Sequence, residues 1–253
     1  QMRESVDLIE GMGFQFYLAI VLAAGIFFIA VFNLRFLNSL GDSVSSFDGP
    51  YPKCLVSILV PARNEEKNIR QCLQALISQN HQATEILVLD DWSTDNTAKV
   101  VQEFAEYDSR VRMIKGAELP DGWSGKNWAS YQLSQEAAGE FLLFIDADTI
   151  LFSKAVSVAL MHAVKKSVDL LTIMPKRTAG CVIEHIIFPF IDWVTFCWVP
   201  MKIAHVSNNS HISATFGPFM LFRRAAYEAI GGYAAVRGNT LDDFELGRII
   251  KRR

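Results

Sequence analysis

The run Phe141-Leu142-Leu143-Phe144-Ile145 is apolar without a break and stops abruptly at Asp146-Ala147-Asp148. Five large apolar residues with no polar alternation predict a strand covered on both faces, as in the middle of a parallel sheet with helices above and below. In such sheets, ligands lie beyond the carboxyl ends of the strands. Two carboxylates one residue apart at that rim repel each other and invite a divalent cation held by oxygen ligands. Asp is also common in strand-to-loop turns for structural reasons alone. The meaning of the motif therefore depends on the rest of the chain.

That chain alternates strand and helix patterns. Residues 54–60 read as a strand, and 65–78 have helical spacing at Ile69, Cys72, Leu73, Leu76 and Ile77. A second strand over 85–89 ends at Asp90-Asp91, and Ser93 or Thr94 is placed to cap a helix running to Tyr107. Then come a short strand over 111–114, a helix over 125–138, the acidic strand, a helix over 153–166 and a strand over 170–174. After an extended apolar segment at 214–222, the last helix starts near Leu241 and carries Asp242, Asp243 and Glu245. This order predicts an α/β fold with a doubly wound, mostly parallel sheet and helices on both faces.

Length and composition narrow the classes. The 253 residues suffice for one sizeable domain plus an appendage. A net charge of -3 excludes a broadly basic nucleic-acid binder, and no nucleic-acid partner is expected. The four cysteines show no C-x-x-C spacing, which favours free thiols in a reducing compartment, and the five histidines form no zinc pattern. Residues 14–32 are apolar apart from Gln15, and about 19 residues at about 1.5 Å each nearly span a bilayer core. Glu4, Asp7 and Glu10 before that run argue against a signal peptide, and Arg35 after it places the main domain in the cytoplasm. The expected organisation is a membrane helix with its flanks over 1–40, a Gly/Pro- and Ser-bearing linker over 41–53 and a domain over 54–253, cut at its C-terminus. Residues 182–201, rich in Ile, Phe and Trp but broken by Pro189 and Pro200, fit either an interfacial helix or a core helix under the sheet.

Three acidic pairs thus stand at strand or helix ends: Asp90-Asp91, Asp146-x-Asp148 and Asp242-Asp243. In order along the chain stand Pro61-Ala62-Arg63-Asn64-Glu65-Glu66, Asp90-Asp91-x-Ser93-x-Asp95-x-Thr97, Gly125-Lys126, Asp146-Ala147-Asp148-Thr149, Gly231-Gly232-Tyr233 and Asp242-Asp243-x-x-Leu246. This series resembles family 2 glycosyltransferases of the Rossmann-like GT-A fold, and among them membrane-bound bacterial enzymes that glycosylate lipids such as carotenoids and hopanoids. The likeness extends over about residues 56–253.

It implies inverting transfer from a nucleotide sugar, a UDP-sugar, to a lipid or saccharide acceptor at a membrane. It assigns Pro61, Ala62, Glu65, Asp90 and Asp91 to the donor, with Lys126 and Asp146 near the diphosphate. Asp148, with Asp146, would meet Mg²⁺ or Mn²⁺, and Asp243 would be the catalytic base. Phe216, Gly217, Pro218 and Asp242 fall on the acceptor side. Many relatives carry Cys-Gly-Ser where this chain has Phe216-Gly217-Pro218, a departure that leaves room for an apolar acceptor. The Gln-x-x-Arg-Trp motif of processive polysaccharide synthases, the alternative within the family, does not occur before Arg253. Two readings compete from outside it: an aspartate-nucleophile phosphatase using Asp146 and Asp148, and a membrane-anchored nucleotide-binding protein with a decayed site.

Overall fold

The computed structural model describes residues 2–36, 52–207 and 209–253. Most of the expected linker, residues 41–51, lies outside the described residues. The chain divides into two compact units, one formed by 1–37 and 177–207 and the other by 38–176 and 208–253.

The larger unit is built on six strands: β1 (Val56–Ala62), β2 (Thr84–Asp90), β3 (Val111–Lys115), β4 (Phe141–Ile145), β5 (Leu170–Thr172) and β6 (Phe219–Arg223). They lie in the order β3-β2-β1-β4-β6-β5. β1 to β4 are mutually parallel where they pair, whereas β6 runs antiparallel to both β4 and β5. The interleaved helices are α1 (Met2–Phe36), α2 (Ile69–Ile77), α3 (Thr97–Tyr107), α4 (Gly125–Glu136), α5 (Ala155–Lys165), α6 (Val182–Trp198), α7 (Met201–Val206), α8 (Arg224–Ala229) and α9 (Asp242–Lys251), with a 3-10 turn at Gly232–Val236.

All five residues of β4 are buried, as expected of a strand covered on both sides. Alternate side chains separate into two cores. Ile58, Val60, Leu143 and Ile145 pack toward α2, α3 and α5. Leu59, Leu142 and Phe144 point the other way, toward α4, α8, the 3-10 turn and α9. On that second face Phe144 meets Tyr233 with ring centroids 5.0 Å apart and Tyr227 at 5.5 Å. The Tyr227 hydroxyl accepts the Tyr233 N–H at 3.1 Å. Gly232 turns with φ +52°, and a Cβ there would stand 2.4 Å from the Tyr227 ring, so glycine is required both by conformation and by space.

Three local expectations are corrected. Neither Ser93 nor Thr94 caps α3, which begins at Thr97 behind Asn96; both are engaged across the loop with Asn64 instead. The helix expected from residue 65 starts at Ile69, because residues 65–68 form a turn bonded to the Glu65 carbonyl. The segment 182–201 does not form a core helix: it forms α6, in which only Cys197 is buried, and which with α7 and α1 makes up the smaller unit. Among the described residues one helix, in that unit, is long and apolar enough to cross a membrane, over Gln15–Arg35, a stretch of 21 residues.

Candidate active site

Strand register assembles the acidic rim. Ala62 pairs with Asp90 across β1 and β2, and Leu59 pairs with Phe144 across β1 and β4, so Pro61 near the end of β1 adjoins Asp91 and Asp146, which follow β2 and β4. The Asp91 N–H donates to the Ala62 carbonyl at 2.9 Å. Because β6 is antiparallel, its beginning rather than its end lies at this rim, with Phe219 opposite Ile145. Topology thereby brings Phe216-Gly217-Pro218 to the same edge as Asp146.

The loops leaving β1 and β2 are laced together. Asn64 N–H donates to Ser93 Oγ at 3.0 Å, and Thr94 N–H donates to Asn64 Oδ1 at 2.8 Å. Glu65 N–H donates to Thr97 Oγ1 at 2.7 Å, and Glu66 N–H donates to Asp95 Oδ2 at 3.1 Å. Asn64 and Trp92 both have φ of 57°, a left-handed conformation that Asn tolerates and Trp rarely adopts. The brace holds Trp92 in that turn, a local strain of the kind that surrounding bonds must over-determine. Sequence reasoning placed these polar residues in the motif but not in this reciprocal role.

Pro61, Ala62, Arg63, Glu65, Asp91, Gly125, Lys126, Ala129, Asp146, Ala147 and Asp148 line a single open cleft of about 450 Å³. Asp90 does not line it; its Oδ1 faces the Ser93 N–H at 3.4 Å. Arg63, to which the sequence motif assigned no role, reaches Asp91 Oδ2 at 3.5 Å from a side chain that is 62% exposed. Lys126 donates from Nζ to Asp146 Oδ1 at 2.6 Å. Burial pulls the ammonium's pKa down, but Asp146 beside it and Asp242 and Asp243 further off more than offset this, leaving it above the ordinary lysine value. Beneath the acids lies Cys72, whose thiol is pushed up to about 12 by burial and then by Asp148 and Asp146; it is a packing residue rather than a nucleophile.

Asp242 and Asp243 open α9, where acids also complement the helix dipole. They do not line the cleft, although Lys126 senses both. Asp243 is oriented through both oxygens: Gly217 N–H donates to Oδ2 at 2.9 Å and Phe244 N–H to Oδ1 at 2.7 Å. A Cβ at Gly217 would stand 3.2 Å from that Oδ2, so the absence of a side chain lets the backbone approach the carboxylate. Thr215 Oγ1 donates to the Asp243 carbonyl at 2.8 Å. Burial raises the Asp242 pKa, with repulsion from Asp243 adding and Lys126 opposing.

Asn127 connects these pieces. It is buried beside Lys126, and its Nδ2 donates to the carbonyls of Val236 at 2.8 Å, Asn239 at 3.0 Å and Arg237 at 3.3 Å. The segment that delivers Asp242 is thereby fastened to the start of α4, whose N-cap Ser124 accepts the Asn127 N–H. Nothing in the local pattern distinguishes Asn127 from a solvated helix-start residue.

Among the described residues no three His, Cys, Asp or Glu side chains gather in the manner of a closed metal site. Asp146 and Asp148 are a two-carboxylate set, which fits a hard divalent ion that takes its other oxygens from phosphate and water.

The family model for glycosyl transferase family 2 matches residues 57–231. The 4,4'-diaponeurosporenoate glycosyltransferase of Staphylococcus haemolyticus is 27% identical over 199 residues, covering 78% of this chain and 52% of that protein. Its Staphylococcus aureus counterpart is 28% identical over 204 residues, covering 76% and 50%. The chain thus spans about half the length of the curated relatives it matches. Among solved structures, the Pyrobaculum calidifontis mannosyltransferase in complex with GDP-Man and Mn²⁺ superposes with a TM-score of 0.59 at 20% identity, over 90% of this chain and 61% of that one. TarS of Staphylococcus aureus in complex with UDP superposes with a TM-score of 0.55 at 23% identity, over 76% and 54%. These likenesses place the larger unit in the GT-A fold, and the match over 57–231 settles its kinship: the chain belongs to glycosyl transferase family 2.

Proposed function

We propose that this chain is the donor-binding and catalytic part of an inverting glycosyltransferase that moves a sugar from a nucleotide-sugar donor, UDP-linked, to a hydroxyl or carboxyl of a membrane lipid. The observation that carries the reading is the convergence of Pro61, Ala62, Glu65, Asp91, Lys126, Asp146 and Asp148 on one cleft. Pro61, Ala62, Glu65 and Asp91 take the nucleoside end of the donor, with Asp90 bracing the turn behind Asp91. Arg63 and Lys126 answer the negative charge of the diphosphate. Asp146 and Asp148 would hold Mg²⁺ or Mn²⁺, which when bound neutralises charge growing on the leaving nucleoside diphosphate.

Asp243 is the base. It takes the proton from the acceptor oxygen as that oxygen bonds to the anomeric carbon and the bond to the diphosphate breaks, so one displacement inverts the centre. The N–H groups of Gly217 and Phe244 aim the carboxylate for this task. Phe216 and Pro218 offer an apolar flank, and the relatives named for transfer to 4,4'-diaponeurosporenoate favour a lipid acceptor over a sugar chain. The helix over Gln15–Arg35 serves as a membrane anchor, with the catalytic unit in the cytoplasm.

The test is a thermal-shift screen of nucleotide sugars with and without Mn²⁺, followed by measurement of nucleoside diphosphate release. Asp148→Ala is expected to abolish the Mn²⁺-dependent shift. Asp243→Asn is expected to keep that shift and lower turnover by about 10²-fold or more. Full turnover in the Asn variant removes Asp243 from the base role. Release of inorganic phosphate alone selects the phosphatase reading instead.

A further inference from the structure

Helix α6 is built inside out for a helix in water. Its exposed residues are apolar throughout except for His185 near the start, with Ile183 66%, Ile186 69%, Phe190 60%, Trp193 52% and Trp198 59% exposed. Its polar residues Glu184, Asp192 and Thr195 lie on the less exposed side. Each is provided for within the unit: Glu184 accepts the Gly180 N–H at 2.7 Å, Asp192 is paired with Arg177, and Thr195 donates to the Ile191 carbonyl at 2.9 Å. A soluble amphipathic helix shows the reverse arrangement.

The same economy of polar groups appears where α6 ends. Pro200 has no N–H, so it cannot continue the helical ladder to the Phe196 carbonyl. Asn33, fully buried on α1, supplies the missing donor. Its Nδ2 donates to the carbonyls of Phe196 at 2.7 Å and Val199 at 2.6 Å, and its Oδ1 accepts the Met201 N–H at 2.9 Å. The less exposed residues Ile26, Ile29 and Ala30 share the face of α1 that carries Asn33, at helical spacing. Satisfying every backbone group internally is a requirement of lipid, where water cannot do it.

We propose that α1, α6 and α7 enter the bilayer as one body, with the outward face of α6 against acyl chains and Asn33 closing the helix break at Pro200. This rests on the reading of α1 as a membrane anchor and extends it to a second, non-contiguous segment. The occupant of the α6 face is lipid because that face continues the apolar surface of α1, where Phe16, Val21, Phe27 and Phe28 are also exposed.

The experiment uses the whole chain in phosphatidylcholine vesicles whose acyl chains carry bromine, a contact quencher of tryptophan. Trp193 and Trp198 are the tryptophans of this unit, so Trp193→Phe/Trp198→Phe isolates their signal. The expected result is flotation with the vesicles and at least twofold quenching of that difference signal. Flotation without quenching overturns the inference while leaving the α1 anchor standing, and cross-linking of α6 to a second copy counts the same way. Failure to float overturns both. For the clamp, Asn33→Leu makes α1 more apolar and keeps flotation. Amide hydrogen exchange over residues 199–206 is then expected to accelerate at least tenfold, and unchanged exchange overturns the role given to Asn33.

Discussion

Asn127 shows how much of a site can rest on a side chain that touches none of the chemistry. One amide nitrogen serves three carbonyls of the segment that presents Asp242 and Asp243. Removing it leaves buried acceptors unmatched, a loss of about 1–3 kcal/mol. Asn127→Ala is expected to lower stability by that amount in urea unfolding. Asn127→Asp is expected to do at least as badly, since a carboxylate there would face carbonyl oxygens. The acids at the cleft were legible from the sequence because type and position coincide: Asp91, Asp146 and Asp148 each follow an apolar run that had to be a buried strand. Asn127 and the Asn64 brace were not legible, since their partners lie 109 and 30 residues away and no periodicity announces such pairs.

Between β2 and β3, the elements are joined by charge as well as by packing. Arg110 makes several bonds to Asp108, the shortest from Nη2 to Oδ2 at 2.7 Å, and also donates to the Ile77 carbonyl at 2.8 Å, tying the start of β3 to the end of α2. Hydrogen bonding from Arg110 holds the Asp108 carboxyl below its ordinary range. A carboxyl depressed in the folded state stabilises it above the unfolded pKa, about 3.9, and that contribution fades as pH falls through the folded value. Asp108→Asn is therefore expected to cost about 1–2 kcal/mol at pH 7 and progressively less below about pH 4, read from urea midpoints. Strands β1, β2 and β4 were readable in sequence because two-sided burial in a parallel sheet writes itself as largely continuous apolar runs, whereas β3, at the sheet's edge, carries only a short and partly exposed one. The reversal of β6 was not: the burial pattern of Phe219 to Phe222 is the same whichever way the strand points.

At the scale of the molecule, the chain leaves the larger unit after Lys176 and belongs to it again from Asn209, so the smaller unit is assembled from two distant stretches. Deleting residues 1–36 therefore removes only part of it. The shortened protein is expected to remain detergent-dependent, because the outward Ile, Phe and Trp side chains of α6 persist and the Phe196 and Val199 carbonyls lose their donor. Size-exclusion chromatography without detergent checks this, and a monodisperse peak would count against it. The ion pair of Lys126 with Asp146 also has a consequence for traffic through the cleft. An ammonium and a carboxylate that already cancel one another offer little reward to a stray cation or a stray anion arriving by itself. Cargo bearing both signs can relieve both partners in a single exchange, whereas either ion alone leaves one of the two without its counter-charge.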